Sequence, residues 1–338
     1  MLVGDVAPRS RRQRRLPTIV ALTALVGVLG ATGVLIAARS TIDSVRRVPS
    51  VADHLSAGGS KIENYLLVGS DSRAGADPTA ADAGGIGTEA DVSGNRSDTI
   101  MILRRDKSTG DAALLSIPRD LWVAVPGHDS NRRVNSAFND GPEILVQTLQ
   151  QGDLRLPIHH FVEIDFSGFK SLVDALGGVQ ICVDFATRDV STGLNITEPG
   201  CHVLDGQQAL GYARSRHYEE FRDEQWVEDP SSDLGRTKRQ QQFVNVALKT
   251  ALNRIKVDPF AAGRLIKAIG SSLSVDDELD PIAAATSLRS AVDSGIATYS
   301  LPVFGKNIGG NAVLLLGDGS EAVLAYFRGQ GPAPAPNA

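Results

Sequence analysis

Hydrophobic and polar positions divide the chain into unequal stretches. Residues 16–38 (LPTIVALTALVGVLGATGVLIAA) carry no charge. A run of that length spans a hydrocarbon core as one helix, which takes ~20 residues. From Asn64 onward, short apolar runs alternate with longer segments of helical spacing. Over 72–95 the pattern lapses into Gly, Ala and Asp with no period, and a loop that long inside a domain reads as a lid or a surface insertion. The organisation predicted is an arm over 1–15, a transmembrane helix over 16–38, a juxtamembrane linker over 39–60 and one domain over 61–329. A disordered Pro-rich tail over 330–338 follows.

Within the domain, residues 64–69 (NYLLVG) read as a strand ending in Gly-Ser-Asp-Ser-Arg. Residues 99–103 and 112–117 flank a turn at 106–111, the pattern of a hairpin. Over 135–151, Ala137, Phe138, Ile144, Leu145 and Leu149 share a face at helical spacing and predict one helix. A strand over 161–164, a helix over 167–176 stopped by Gly177-Gly178, and a strand over 179–183 come next. Asp205 opens a helix through Tyr212, and Asp233 caps a long one to about Ile255. After Asp258-Pro259 the pattern gives two helices, a strand near 297–301, another at 312–316 and a last helix. Such alternation predicts a layered α/β/α domain with a central mixed sheet, preceded by one N-terminal transmembrane helix.

Charge sets the orientation of that helix. Arg9, Arg11, Arg12, Arg14 and Arg15 precede the uncharged run, and positive residues stay on the cytoplasmic side. The expectation is a single-pass protein of the cell membrane with a cytoplasmic N-terminus and an extracytoplasmic domain. Past residue 38, 29 Lys and Arg face 38 Asp and Glu, a net charge of about −9. A surface that acidic is a poor partner for nucleic acid. The two cysteines, Cys182 and Cys201, both fall on the exported side, where an oxidising compartment favours a bridge between them.

Charged residues gather at the predicted element ends. Asp71 and Arg73 follow the first strand, Arg96 and Asp98 begin the second, and Arg119 and Asp120 end the third. Arg133 opens a helix, Arg214 and Arg216 close one, and Arg236 and Gln240 stand four apart in the first turns of the long helix. That spacing puts Arg236 and Gln240 on one face near the positive helix end. The planar guanidinium fork suits phosphate oxygens. Two aspartates among such arginines suit a hard cation, Mg²⁺ (or Mn²⁺), which takes one or two carboxylates and the substrate's phosphates.

Seven blocks occur in order: NYLLVGSDSRAG, RSDTIMILRRD, LLSIPRDLWVAVPG, RRVNSAFNDGP, FVEIDFSGFKSLVDALGGV, LDGQQALGYARSRH and SDLGRTKRQQQFV. Together they closely resemble the LytR-CpsA-Psr family of cell-wall ligases, actinobacterial type, with core motifs over 64–244. The resemblance implies an anchored extracytoplasmic phosphotransferase that moves a glycopolymer from a polyprenyl-pyrophosphate carrier onto peptidoglycan, leaving a phosphodiester link. It implies Asp71 and Asp98 as the acidic pair that holds Mg²⁺, and Arg73, Arg96 and Arg119 as the arginines of the first three motifs. Arg214, Arg216, Arg236 and Gln240 match the set that grips the pyrophosphate. Arg133 stands where relatives often carry lysine, and Arg239 lies one helical step aside from that set. An apolar tunnel for the lipid is implied as well, with Phe138, Leu145, Phe166, Phe169 and Leu172 as candidates. Asp71 is the favoured base for the acceptor's proton.

Other chemistries lack their partners. Ser167 and Lys170 spell S-x-x-K, but no S-D-N or K-T-G follows. His159, His160 and Glu163 lack the H-E-x-x-H spacing of a zinc site. No Walker A or G-x-S-x-G sequence is present. Two alternatives stay open at this level: a polyprenyl-pyrophosphate phosphatase, and a non-catalytic binder of the lipid carrier.

Overall fold

The computed structural model describes residues 45–58, 61–70, 97–230, 232–258, 260–288, 291 and 295–336, with the backbone alone at 98, 232–234 and 271. The expected arm, membrane span and 72–95 segment lie outside them, as do Asp71, Arg73 and Arg96. No helix among the described residues is long and apolar enough to cross a membrane.

The chain runs through β1 (Arg46–Arg47), β2 (Ile62–Ser70), β3 (Ser97–Asp106), β4 (Ala112–Ile117), β5 (Trp122–Val123) and β6 (Arg132–Arg133). Helix α1 (Pro142–Gln150), β7 (His160–Ile164) and α2 (Phe166–Ala175) follow, then β8 (Val179–Val183), β9 (Thr187–Asp189), β10 (Leu194–Ile196), β11 (Gly200–Leu204) and α3 (Gly206–Arg214). The hairpin β12 (Glu219–Arg222) and β13 (Gln225–Glu228) leads into the long α4 (Ser232–Val257), α5 (Ala261–Ile269), β14 (Leu273–Val275) and α6 (Pro281–Ser287). Strands β15 (Ile296–Ser300), β16 (Val303–Ile308) and β17 (Asn311–Leu316) precede α7 (Ser320–Phe327).

Seven strands make the central sheet, in the order β1-β14-β7-β2-β3-β4-β15. It is mixed: β1 and β14, β7 and β2, and β4 and β15 pair in parallel, the other neighbours antiparallel. Alternate residues feed opposite faces. Leu66, Val68, Ile100, Ile102 and Phe161 pack with Leu145 and Leu149 of α1 and Phe327 of α7. Tyr65, Met101 and Leu103 pack on the other side with residues of α2 through α5. The expected central mixed sheet is therefore present, with helices against both faces.

One expected helix is two pieces. Residues 134–140 form a 3-10 helix, and α1 starts afresh at Pro142. Gly141 between them has φ 134°, and a Cβ there would collide with the Glu143 carboxylate. Proline disfavours helical backbone in the residue before it but suits the first position of a new helix. The apolar spacing continues across the break, which is why periodicity alone reads through it.

Cys182 and Cys201 lie directly opposite on the antiparallel pair β8 and β11 and are disulfide-bonded, as expected. Both are exposed, so the bond is open to reductant in the folded protein. Closing a loop of about 20 residues stabilises by about 3 kcal/mol in the chain-entropy model. Reduction should lower the melting temperature by that equivalent without loss of the fold. A melt unchanged by reductant, with free thiols verified by mass mapping, would count against a stabilising role.

Candidate active site

The sheet register defines one edge at which the expected residues meet. Ser70, the last residue of β2, pairs with Ser97 at the start of β3. Ile117, the last of β4, pairs with Ile100, and Ser116 lies beside Ser300 at the end of β15. Ile164 ends β7 beside Gly69, and Asp165 then caps α2 by accepting from the Gly168 N–H at 2.8 Å. The C-terminal ends of β2, β4, β7 and β15 and the start of β3 thus share an edge, the usual place for ligands in such sheets.

Gly69 pairs with Thr99 and Ser70 with Ser97, so Asp98 is the extra residue of a β-bulge. Bulges of this kind re-aim side chains beside active sites. Asp71 comes next after Ser70 in the sequence but lies outside the described residues, so of the two expected metal ligands the register locates only the backbone of Asp98. A pair of carboxylates there has the right donor chemistry for Mg²⁺ or Mn²⁺. Among the described residues no group of three or more His, Cys, Asp and Glu gathers as a metal cluster.

Arg119 leaves the edge just past β4. Asp120 lies between two arginines, with Arg119 Nε at 3.5 Å from one oxygen and Arg133 Nε at 3.4 Å from the other. Arg133 also donates to the Ala312 carbonyl at 3.1 Å. Arg119 and Arg133 are therefore brought together by one carboxylate, and Arg133 is tied to β17 as well.

The second arginine group sits where α3 ends and α4 begins. Arg214, the last residue of α3, stacks its guanidinium 4.5 Å from the ring of Phe166 at the start of α2. Arg216 is exposed two residues later, and Arg236 is buried in the first turns of α4. Gln241 donates from α4 to Ser300 Oγ at 2.5 Å, which brings this end of α4 to the same sheet edge. The sequence motifs thus converge: β3, β4, α3 and α4 each deliver a candidate residue there.

Two refinements concern neighbouring positions on α4. Gln240 spends its amide N–H on the Ala213 carbonyl at 3.1 Å, tying α4 to the last turn of α3. Its second amide N–H and its carbonyl oxygen remain for a ligand. Arg239, buried, donates to the Ser215 carbonyl at 2.7 Å, pairs with Asp229 at 3.1 Å and lies 4.3 Å over the Tyr218 ring. Its work is to brace the turn after α3, consistent with its place one step aside from the binding set.

The five apolar tunnel candidates do not share one face. Phe138 and Leu145 pack on the α1 side of the sheet, Phe169 and Leu172 on the α2 side. Phe169 meets Phe243 of α4 with ring centroids 5.0 Å apart. A single tunnel cannot use all five, because the sheet lies between them. Phe166, on the α2 side, carries the Arg214 guanidinium on its ring.

Three further acidic residues lie near this edge, of which the sequence drew attention only to Glu163, as a dismissed zinc ligand. Asp165 is the α2 cap described above. Glu163, half-buried on β7, is pushed up by burial against the opposing effects of Ser70 and Arg46. Asp189 is fully buried at the end of β9. Burial works to raise its carboxyl, but hydrogen bonds from Ser191, Ser215 and His217 outweigh it and hold the group below the usual carboxylate range.

The LytR_cpsA_psr family model matches residues 36–324. A probable cell wall biosynthesis protein, LcpB of Corynebacterium glutamicum, is 36% identical over 269 residues, covering 78% of this chain and 61% of that protein. The polyisoprenyl-teichoic acid–peptidoglycan teichoic acid transferase TagU of Halalkalibacterium halodurans is 31% identical over 204 residues, 60% of this chain and 62% of that protein. Among solved structures, a LytR-Csp2A-Psr enzyme from Actinomyces oris superposes with a TM-score of 0.65 at 23% identity, over 84% of this chain and 95% of that one. The chain spans about three fifths of the length of the two sequence relatives.

Proposed function

The chain belongs to the LytR-CpsA-Psr family, and from that premise we propose that it is a membrane-anchored, extracytoplasmic phosphotransferase. It moves a glycopolymer from a polyprenyl-pyrophosphate carrier to peptidoglycan. The observation that supports this reading is that Arg119, Arg214 and Arg236 sit on segments that end or begin towards the sheet edge where Asp98 forms a bulge. That a relative is named for polyisoprenyl-teichoic acid transfer to peptidoglycan supports the same partner classes.

Anchoring draws its support from the arginines before the uncharged run and from where the domain begins. Strand β1 lies beside β14, and Leu273 of β14 lies beside Ile164, so the chain enters at the edge that holds the arginines. Residues 39–45, fully extended, reach at most about 25 Å. That keeps the edge within reach of a donor held in the bilayer.

In the reaction, an acceptor sugar hydroxyl attacks the phosphorus that bears the glycopolymer. The bond from that phosphorus to the bridging oxygen breaks, and polyprenyl phosphate leaves with the electron pair. Asp71, the favoured base, takes the hydroxyl proton. Arg119, Arg214, Arg216 and Arg236, with Arg73 and Arg96, hold the two phosphates in line and offset the charge that develops on the leaving group. Arg133 and Gln240 contribute by fixing Arg119 and the α3–α4 junction. Asp71 and Asp98 would hold the Mg²⁺ or Mn²⁺, which when bound neutralises phosphate charge. Phe166, Phe169 and Leu172 line the way for the first isoprene units.

The test is product analysis by mass spectrometry, with the purified full chain, a polyprenyl-pyrophosphate glycan donor and a divalent cation. With peptidoglycan present, a sugar–phosphate–sugar link is expected, and chelator should suppress it. Donor cleaved equally with and without acceptor would make the protein a phosphatase. Donor bound but never consumed would make it a carrier-binding protein.

A further inference from the structure

We propose that Asp189 is a positioning residue for the two arginines of Arg214-Ser215-Arg216. The inference rests on the reading of that segment as part of the diphosphate site. Asp189 ends β9 and lies outside the seven sequence blocks that mark the family. It is fully buried, and five donors converge on its two oxygens. Oδ1 accepts from the Ser191 N–H at 2.9 Å and the Ser191 hydroxyl at 2.6 Å. Oδ2 accepts from the Ser215 hydroxyl at 2.7 Å and from the N–H groups of Arg216 and His217, each at 3.1 Å.

One oxygen thus holds three successive residues of the segment that leaves α3. Ser215, itself fully buried, has φ −56° and ψ 125°, so the helix stops there and the backbone turns extended. Its carbonyl is held from the opposite side by Arg239 at 2.7 Å. Ser215 is therefore clamped at its hydroxyl by Asp189 and at its carbonyl by Arg239. Extended backbone sends successive side chains opposite ways, and the clamped residue is the one between the two arginines. Arg214 turns back over Phe166 while Arg216 stands exposed. Arginines that must meet two phosphates at once lose binding when their backbone wanders, because the ordering must then be supplied at each binding event. A buried carboxylate also supplies fixed negative charge behind a cluster of cations that repel one another before ligand arrives.

Asp189→Asn tests the idea because an amide keeps the shape but offers only one acceptor oxygen. Either orientation of that amide turns its NH₂ toward a backbone N–H, of Ser191 or of Arg216 and His217. The measurements are calorimetric binding of farnesyl diphosphate and transfer turnover, on the full chain in detergent. Asp189→Asn should weaken binding roughly tenfold and lower turnover by about a hundredfold. Ser215→Ala, which removes one contact to Oδ2, should do the same to a smaller degree. Ser191→Ala, which removes one contact to Oδ1 on the far side, should stay within about twofold of the parent, since its loss leaves the arginine segment in place.

Partial unfolding would lower the binding stoichiometry and leave the Kd of the folded remainder unchanged; lost positioning shifts the Kd at unchanged stoichiometry. Asp189→Asn with parental Kd overturns the proposal, as does equal weakening in Ser191→Ala and Ser215→Ala. If Asp189→Asn does not fold, Ser215→Ala decides on the same Kd criterion. A parent that binds farnesyl diphosphate but transfers nothing overturns the transferase reading alone, and Asp189 is then judged on binding. A parent that does not bind it overturns both.

Discussion

Exchanging Asp71 or Asp98 for alanine should lower transfer by about a hundred- to a thousandfold, and exchanging both should add little to either. The backbone supplies the reason. Ser70 and Ser97 are register partners, and Asp98 is the unpaired residue of the bulge that follows. Asp71 is the next residue in the sequence after Ser70. Two carboxylates there would serve one divalent ion, so removing one already disables the unit that the second change attacks. Initial rates at saturating donor, with the cation titrated for each variant, provide the measurement. Single-variant losses that multiply in the double variant would show two independent roles and remove the shared ion. A raised cation requirement in each single variant, with part of the rate recovered at high concentration, is the companion result expected.

The parts of this fold that sequence made legible are those with strong apolar runs and sharp ends. Residues 64–69 and 112–117 are buried strands because β2 and β4 lie inside the sheet and bury side chains on both faces. The hairpin between β3 and β4 was equally clear from its polar turn. What could not be read was the small sheet of β9, β10, β12 and β13. Its strands are three or four residues long, and EEFR and QWVE show no alternation that separates them from loop. Asp189 sits on that sheet, which is why a residue with five hydrogen bonds carried no signal of its own. The site was legible as charges at element ends, because a strand end at the ligand edge has little other use for arginine. Roles within it were less so. Spacing of four puts Arg236 and Gln240 on one helix face, but nothing in the spacing says that this face meets the last carbonyls of α3. The apolar tunnel candidates divide between the two sides of the sheet for a similar reason: helical periodicity marks a buried face, not the side of the sheet it is buried against.

Arg236 and Arg239, three residues apart on α4, should differ in where their largest effect falls: on binding for Arg236 and on stability for Arg239. Arg239 braces structure: it holds the Ser215 carbonyl, pairs with Asp229 and covers the Tyr218 ring, while only 7% exposed. Removing it strands a buried carbonyl and a partly buried carboxylate. Arg239→Ala should therefore destabilise the protein by about 2–4 kcal/mol. Arg236, 2% exposed in the first turns of α4, stands at the positive end of a long helix. Arg236→Ala should weaken binding of polyprenyl diphosphate at a cost of roughly 2–5 kcal/mol, because a desolvated phosphate loses its counter-charge. Its effect on stability should be smaller than that of Arg239→Ala. Raising salt should erode the parent's binding less than it erodes a surface ion pair, because screening acts weakly at a buried site. Denaturant unfolding and calorimetric binding on both variants supply the four numbers. If Arg236→Ala binds the donor as the parent does while Arg239→Ala unfolds no earlier, the division of labour along α4 is wrong, and the head-group site must be sought away from the α3–α4 junction.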